Sequence, residues 1–164
     1  MAPTNLLKPL LLLVTLLLVG CPSAPSGPNP GLPTEKLDIN GRSITVELAL
    51  DKASRLQGLS DRPSLADDRG MLCVFPQEQR MAFVMRRCHF DIDIAFIDAS
   101  GKVVAAHQMV TEPLDQPEEK LTPYPSDAPA LFALELNAGG LQRYGLTLGN
   151  QLDLPVLELK RLAK

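Results

Sequence analysis

The groups in this chain best suited to chemistry are the thiols of Cys73 and Cys88, the imidazoles of His89 and His107, and a charged run containing Arg86, Arg87, Asp91, Asp93 and Asp98. A thiol becomes a nucleophile when a nearby base lowers its pKa, so Cys88 with His107 as base is one catalytic pairing to weigh. The plainer expectation is a buried apolar thiol, or a bridge between Cys73 and Cys88. The same four side chains carry the atoms that zinc needs, but their spacings lack the close ligand pairs of structural zinc sites. Adjacent Cys88 and His89 would also face opposite sides of a strand, so no metal site is expected. Arg86 and Arg87 beside Asp91 and Asp93 could frame a charged mouth, offering paired donors to a carboxylate or phosphate. Alternatively these acids and arginines pair with one another at a strand end. A carboxylate pair for glycoside cleavage fails on distance, because Asp93 and Asp98 stand at opposite ends of one strand, about 17 Å apart.

The chain has no Gly-x-Ser-x-Gly elbow, no Walker loop and no Gly-x-Gly-x-x-Gly turn, so the familiar nucleophile and phosphate machinery is absent and no cofactor is implied. A formal net charge of −3 and a pI near 5.4 give no footprint for nucleic acid. With no Trp and only Tyr124 and Tyr144 as tyrosines, carbohydrate stacking is poorly provided for.

The amino-terminal segment has the layout of a secretory signal peptide, with Lys8, an apolar core from Leu10 to Val19, and small Gly20 at the cut. That core is too short to span a bilayer. Leu18-Val19-Gly20-Cys21 resembles the lipobox of bacterial lipoproteins, in which the cysteine thiol takes a diacylglyceryl group. The resemblance implies lipidation at Cys21 and an exported protein held to a membrane on the periplasmic side, with Pro22 after the cysteine favouring the outer membrane. The alternative is a signal peptide cut elsewhere, leaving Cys21 an incidental thiol. An oxidising compartment makes Cys73 and Cys88 a possible disulfide. Residues 21–36, rich in Pro, Gly and Ser, read as an extended tether, and residues 37–164 as one domain.

Within that domain the pattern is mostly strands. Ile44, Val46, Leu48 and Leu50 alternate along a half-buried strand, after which Asp51 can cap a short helix through Arg55 to Leu59. Met71–Phe75 and Met81–Met85 flank Pro76–Arg80 as a hairpin, in which Met81, Phe83 and Met85 share a core face. A second hairpin joins Ile92–Ile97 to Val103–Met109 around Asp98–Gly101. Residues 111–130 read as a long loop, Leu131–Leu136 as a strand, residues 137–140 as the opening of a helical turn carrying Leu141 and Tyr144, and Leu152–Leu162 as a closing strand. The expected fold class is therefore mainly β, either a small antiparallel β-barrel or a β-rich α+β domain, with one or two short helices.

Arg55, Gly58-Leu59, Arg62, Gly70-Met71-Leu72, Phe83, Met85, Asp93–Asp98, Gly101, Tyr124, Ser126 and Leu134-Glu135 occur in an order that resembles the bacterial and archaeal family called domain of unknown function 192, over about Ile44 to Leu154. The resemblance implies a small β-rich domain, often secreted or membrane-anchored, with no established activity. It marks Arg55, Gly58, Arg62, Gly70, Asp98 and Gly101 as structural motif positions. The chain departs from the family at Val84, where a Trp is usual, and at Arg87-Cys88, where the family has Asn-Thr. Arg55 or Arg62 is expected to be held by a buried acid such as Asp93 or Glu135. The functional expectation is a non-catalytic envelope module binding a ligand or protein at Arg86, Arg87 and Asp93 with the loop around Tyr124 and Ser126. The rivals are a hydrolase-like envelope enzyme using Cys88 or the acidic cluster, and a structural assembly component.

Overall fold

A computed structural model describes residues 31–164; the signal segment, Cys21 and most of the expected tether lie outside the described residues. The described residues form eight strands and three short α-helices, in the order β1 (Thr34–Ile39), β2 (Arg42–Ala49), α1 (Lys52–Gln57), β3 (Arg69–Gln79), β4 (Ala82–Phe83), β5 (Ile92–Ile97), β6 (Val103–Met109), β7 (Tyr124–Pro125), β8 (Ala130–Asn137), α2 (Gly140–Tyr144) and α3 (Val156–Leu162). Six strands form one sheet in the order β1-β2-β3-β8-β5-β6, and β4 pairs with β7 in a second, two-stranded sheet. The main sheet stays open, so the fold is β-rich α+β rather than a barrel. Its pairs are antiparallel except β2 with β3, which run parallel from Thr45 opposite Arg69 to Ala49 opposite Cys73. Parallel neighbours need a crossover rather than a tight turn; residues 50–68, including α1, supply it.

Both faces of the sheet are covered, which is why every residue of β5 is buried. On one face Leu48, Leu72, Val74, Ala95, Ile97 and Leu134 pack with Leu141, Tyr144 and Leu159 of α2 and α3. On the other, Met71, Cys73, Ile92, Ile94, Phe96 and Ala133 pack with Leu59, Met85 and Cys88, and with the partly buried Phe75, Met81 and Phe83. Met81, Phe83 and Met85 thus share a core side as their alternation implies, and the β5–β6 hairpin closes at Asp98–Gly101 as expected.

Four expectations need correction. The domain begins before Leu37, because β1 starts at Thr34, Leu32 packs against the core and the Leu48 amide donates to the Pro33 carbonyl at 2.8 Å. Residues 76–79 are not a hairpin loop: β3 runs on through Pro76 to Gln79, which pairs with Ala130 beyond an irregularity. The segment read as a long loop contains a 3-10 turn at Glu118–Lys120 and then β7. Leu152–Leu162 ends in a helix because Val156, Leu159 and Ala163 recur at helical spacing on the core side, while Leu157 is 76% exposed.

Asp51 caps α1 through a reciprocal box, accepting from the Ser54 amide at 2.9 Å while Ser54 Oγ accepts from the Asp51 amide at 3.2 Å. The crossover is pinned further along by Arg62, whose Nη1 and Nη2 donate to Glu47 of β2 at 2.7 and 2.6 Å in a buried bidentate pair. Arg62 is therefore held by an acid, as expected, but by Glu47 rather than by Asp93 or Glu135. The turn after β5 is fixed by Asp98, whose Oδ1 accepts from the amides of Ser100 and Lys102. There Gly101 adopts φ +87°, and a Cβ on it would lie 2.4 Å from the Leu152 carbonyl oxygen.

Gly101→Ala combines a strained φ with a backbone clash, and is expected to cost about 3 kcal/mol of unfolding free energy in urea titrations. Gly149→Ala, at φ +88° but with open space around it, is expected to cost about 1 kcal/mol.

Candidate functional site

The crossover, the far half of β3 and the segment from Met81 to Cys88 enclose a cleft of about 650 Å³, within the usual range for small-ligand sites. Leu56, Leu59, Phe75, Met81, Phe83 and Val84 supply its apolar lining. Its acidic and basic groups come from α1 (Lys52, Arg55), from Arg86 and Glu118, from Lys164, and from Glu135 on β8. The Arg55 guanidinium stands 5.0 Å from the Phe75 ring and donates to the carbonyls of Val74 and Lys164, both at 2.8 Å. Arg86 donates to the Leu56 carbonyl and lies 3.5 Å from Glu118.

Glu135 is the most unusual group in the cleft. It sits in an otherwise apolar stretch of the central strand β8, only 5% exposed. Neither expected arginine bonds to it, and among the described residues its one side-chain hydrogen-bond partner is the Cys73 thiol at 3.8 Å, a weak donor. Burial raises its pKa from 4.5 to about 7, opposed in part by the charge of Arg62. Gly58, the residue ending α1 at φ +48°, lies against this carboxyl: a Cβ there would be 3.5 Å from Oε2.

Of the five residues nominated from sequence, Arg86 lines the cleft and the other four do not. Arg87 adopts φ +49° and turns out to Asp61, to which its Nε donates at 2.8 Å. That bond holds the Asp61 carboxyl below its ordinary pKa. Asp93, expected at the charged mouth, is 2% exposed, and its Oδ2 accepts from the Leu141 amide at 2.9 Å in the first turn of α2. Tyr124 pairs with Phe83 across the small sheet, and its hydroxyl accepts from the Val110 amide at 3.2 Å. Ser126 is fully buried, accepting from the Met81 amide at 3.1 Å and donating to the Ala128 carbonyl at 2.7 Å. These last two brace the cleft wall from behind.

Of the two alternatives for Cys73 and Cys88, a bridge or buried thiols, the structure has the second: both are buried and free. Cys73 is directed at Glu135, whereas the Cys88 thiol lies 3.6 Å from the Arg86 carbonyl. Burial and the nearby Glu135 push the Cys88 thiol up to about 12, against the partial pull of Arg86. His107 lies elsewhere, its Nε2–H donating to the Pro125 carbonyl at 2.7 Å, so it does not serve Cys88 as a base. The acids do not converge either: Asp91 accepts from the Thr111 amide, Asp93 caps α2 and Asp98 shapes a turn. Among the described residues no three His, Cys, Asp or Glu side chains gather as a metal site.

The model of the family DUF192 (Uncharacterized ACR) matches residues 35–154. This chain belongs to the DUF192 family. Two crystal structures share its fold. One is a protein of unknown function from Novosphingobium aromaticivorans, 26% identical, with a TM-score of 0.66, covering 81% of this chain and 94% of that one. The other is a Sinorhizobium meliloti protein described as a candidate transcription regulator, 30% identical, with a TM-score of 0.61, covering 72% and 89% respectively. No match was found among curated proteins. Val84, noted from sequence as a departure from the family resemblance, is in the cleft lining.

The signal for Glu135 was a lone acid inside Leu131–Leu136, a stretch otherwise fit for the core. Its titration adds a pH-dependent term to stability near neutrality. With the folded pKa near 7 and the unfolded near 4.5, the folded chain keeps a proton that the unfolded chain releases. The resulting stabilisation is full below about pH 4.5 and lost as pH rises through about 7. Between pH 5 and pH 8 the wild type is expected to lose about 2 kcal/mol that Glu135→Gln does not lose, read from denaturant midpoints at each pH.

Proposed function

We propose that this DUF192 member is a lipid-anchored envelope protein whose domain is a non-catalytic binding module, with the cleft between the crossover and β4 as its site. One observation carries the binding reading: a cavity of ligand size, walled by apolar side chains, with a few polar groups directed into it. Its chemistry disfavours the hydrolase-like rival. At a pKa of about 12 the Cys88 thiol is essentially un-ionised at neutral pH, and the hydrogen-bond partner it has is the Arg86 carbonyl rather than a histidine or carboxylate. The anchor rests on the Leu18–Cys21 pattern. No helix among the described residues is long and apolar enough to cross a membrane, so acyl chains on Cys21 are the attachment that this reading supplies. The regulator description of the Sinorhizobium protein is not carried over, because an overall charge of −3 does not favour nucleic acid as a partner.

Two measurements test the reading. Screening a library of small fragments by amide chemical shift should place the perturbations at Leu56, Phe75, Phe83 and Val84; shifts confined to Arg87 and Asp91 would move the site to the outer surface. Intact mass of protein extracted from host membranes should show cleavage before Cys21 with acyl chains added, and Cys21→Ser should leave the membrane fraction. In the same samples Cys88 is expected to alkylate about a thousandfold more slowly than after unfolding, as its thiolate fraction demands.

A further inference from the structure

The cleft is charged against the trend of the chain. The whole sequence carries −3, yet Lys52, Arg55, Arg86 and Lys164 line this cavity against only Glu118 and Glu135. Glu118 is paired with Arg86. Arg55 donates to the main-chain oxygens of Val74 and of Lys164, the last residue of the sequence, and no Asp or Glu side chain among the described residues forms an ion pair with it. The Arg55 guanidinium stands over the Phe75 ring where the apolar wall begins. Glu135, among the cleft-lining residues, is a buried carboxyl whose one partner is a thiol.

Building on the reading of this cleft as a ligand site, we propose that it takes an anion carried on an apolar body, with the anionic group held at Arg55 and Lys52, and that Glu135 binds a proton as the ligand enters. An apolar body against Phe75, Met81 and Phe83 displaces water from the cavity above Glu135. Lost hydration and an approaching negative charge both favour the neutral carboxyl. Burial has already brought this group to about 7, so near neutrality a small further push completes its protonation. A ligand with an ammonium group would do the reverse, entering against four cations and driving the proton off Glu135.

The groups facing Glu135 leave it free to respond. From β3 comes the Cys73 thiol, whose pKa burial raises well above the ordinary value, so that it stays neutral. From the segment after β4 come Cys88, un-ionised in this range, and Arg86, bonded to the Leu56 carbonyl and Glu118. From the crossover come Arg55 and Arg62, the latter committed to Glu47 of β2. On the next strand Ile94 lies opposite Glu135, and His107 lies opposite Ile94 on the strand beyond, tied to Pro125.

Calorimetric titration of the full chain with 4-phenylbutyrate, 4-phenylbutanol and 4-phenylbutylamine tests both parts. Phenylbutyrate is expected to bind at least about tenfold more tightly than the amine, and Lys52→Gln to weaken it severalfold without affecting the alcohol. In buffers of different ionisation enthalpy, phenylbutyrate at pH 7 is expected to take up about half a proton, and its affinity to fall about tenfold from pH 6 to pH 8. Glu135→Gln should keep the binding and lose both the proton uptake and the slope. Equal affinity for the three compounds, or preference for the amine, overturns the ligand class while the cleft remains a ligand site. An unchanged slope in Glu135→Gln overturns the role of Glu135. Should that variant not fold, an absence of proton uptake by the wild type does the same. Binding of none of the three removes the ligand-site reading itself, and this inference with it.

Discussion

Two strands consecutive in sequence, β2 and β3, lie side by side in parallel, and the rest of the molecule follows from that pairing. A parallel neighbour cannot be reached by a two-residue turn; the chain must leave the sheet, travel back over one face and re-enter. The segment that does so brings α1, Gly58, Leu59 and Arg62 over the strands, and the bidentate pair from Arg62 to Glu47 fastens it to the strand it has just left. Such a pair, largely out of water, adds little net energy compared with an apolar substitute, but losing one partner strands a charge. It therefore acts mainly as a register pin. The cleft is the space left between this overpass and β4.

What could be read from the sequence follows from how local each signal is. The β5–β6 hairpin was legible because strict alternation on both arms meets a turn whose Asp98 and Gly101 have evident roles. The helix α1 was legible from Asp51 alone. The far half of β3 was not, because Pro76, Gln77, Glu78 and Gln79 have a turn's composition and pair only after an irregularity. Alternating leucines at 157 and 159 suggested a strand, yet the deciding contact is tertiary, the burial of Leu159 against the sheet. The same holds for the site. Arg86 was nominated from its own neighbourhood, but Arg55, Phe83 and Glu135 come together only because the crossover and the central strand meet, and no local pattern records that meeting.

Glu135 and Asp93 show how buried carboxyl groups take opposite assignments in adjacent strands. Both are buried carboxyls in otherwise apolar strands, and their side chains project to opposite faces of the sheet. Asp93 meets the first turn of α2, where a backbone amide satisfies it. Glu135 faces the cavity with only a thiol for company. The first joins layers together, whereas the second is left able to change state.

The two thiols bear on how the protein is lost once it opens. Buried as they are, Cys73 and Cys88 are shielded from oxidants by access and by suppressed ionisation. An opened chain has neither protection. Its thiols regain ordinary reactivity, and a disulfide between them would hold together side chains that the native packing directs to different partners. In an oxidising medium unfolding then works as a ratchet: each excursion risks a covalent mark that bars the return. The working lifetime of such a protein is governed by how rarely it opens rather than by how strongly the equilibrium favours the folded form.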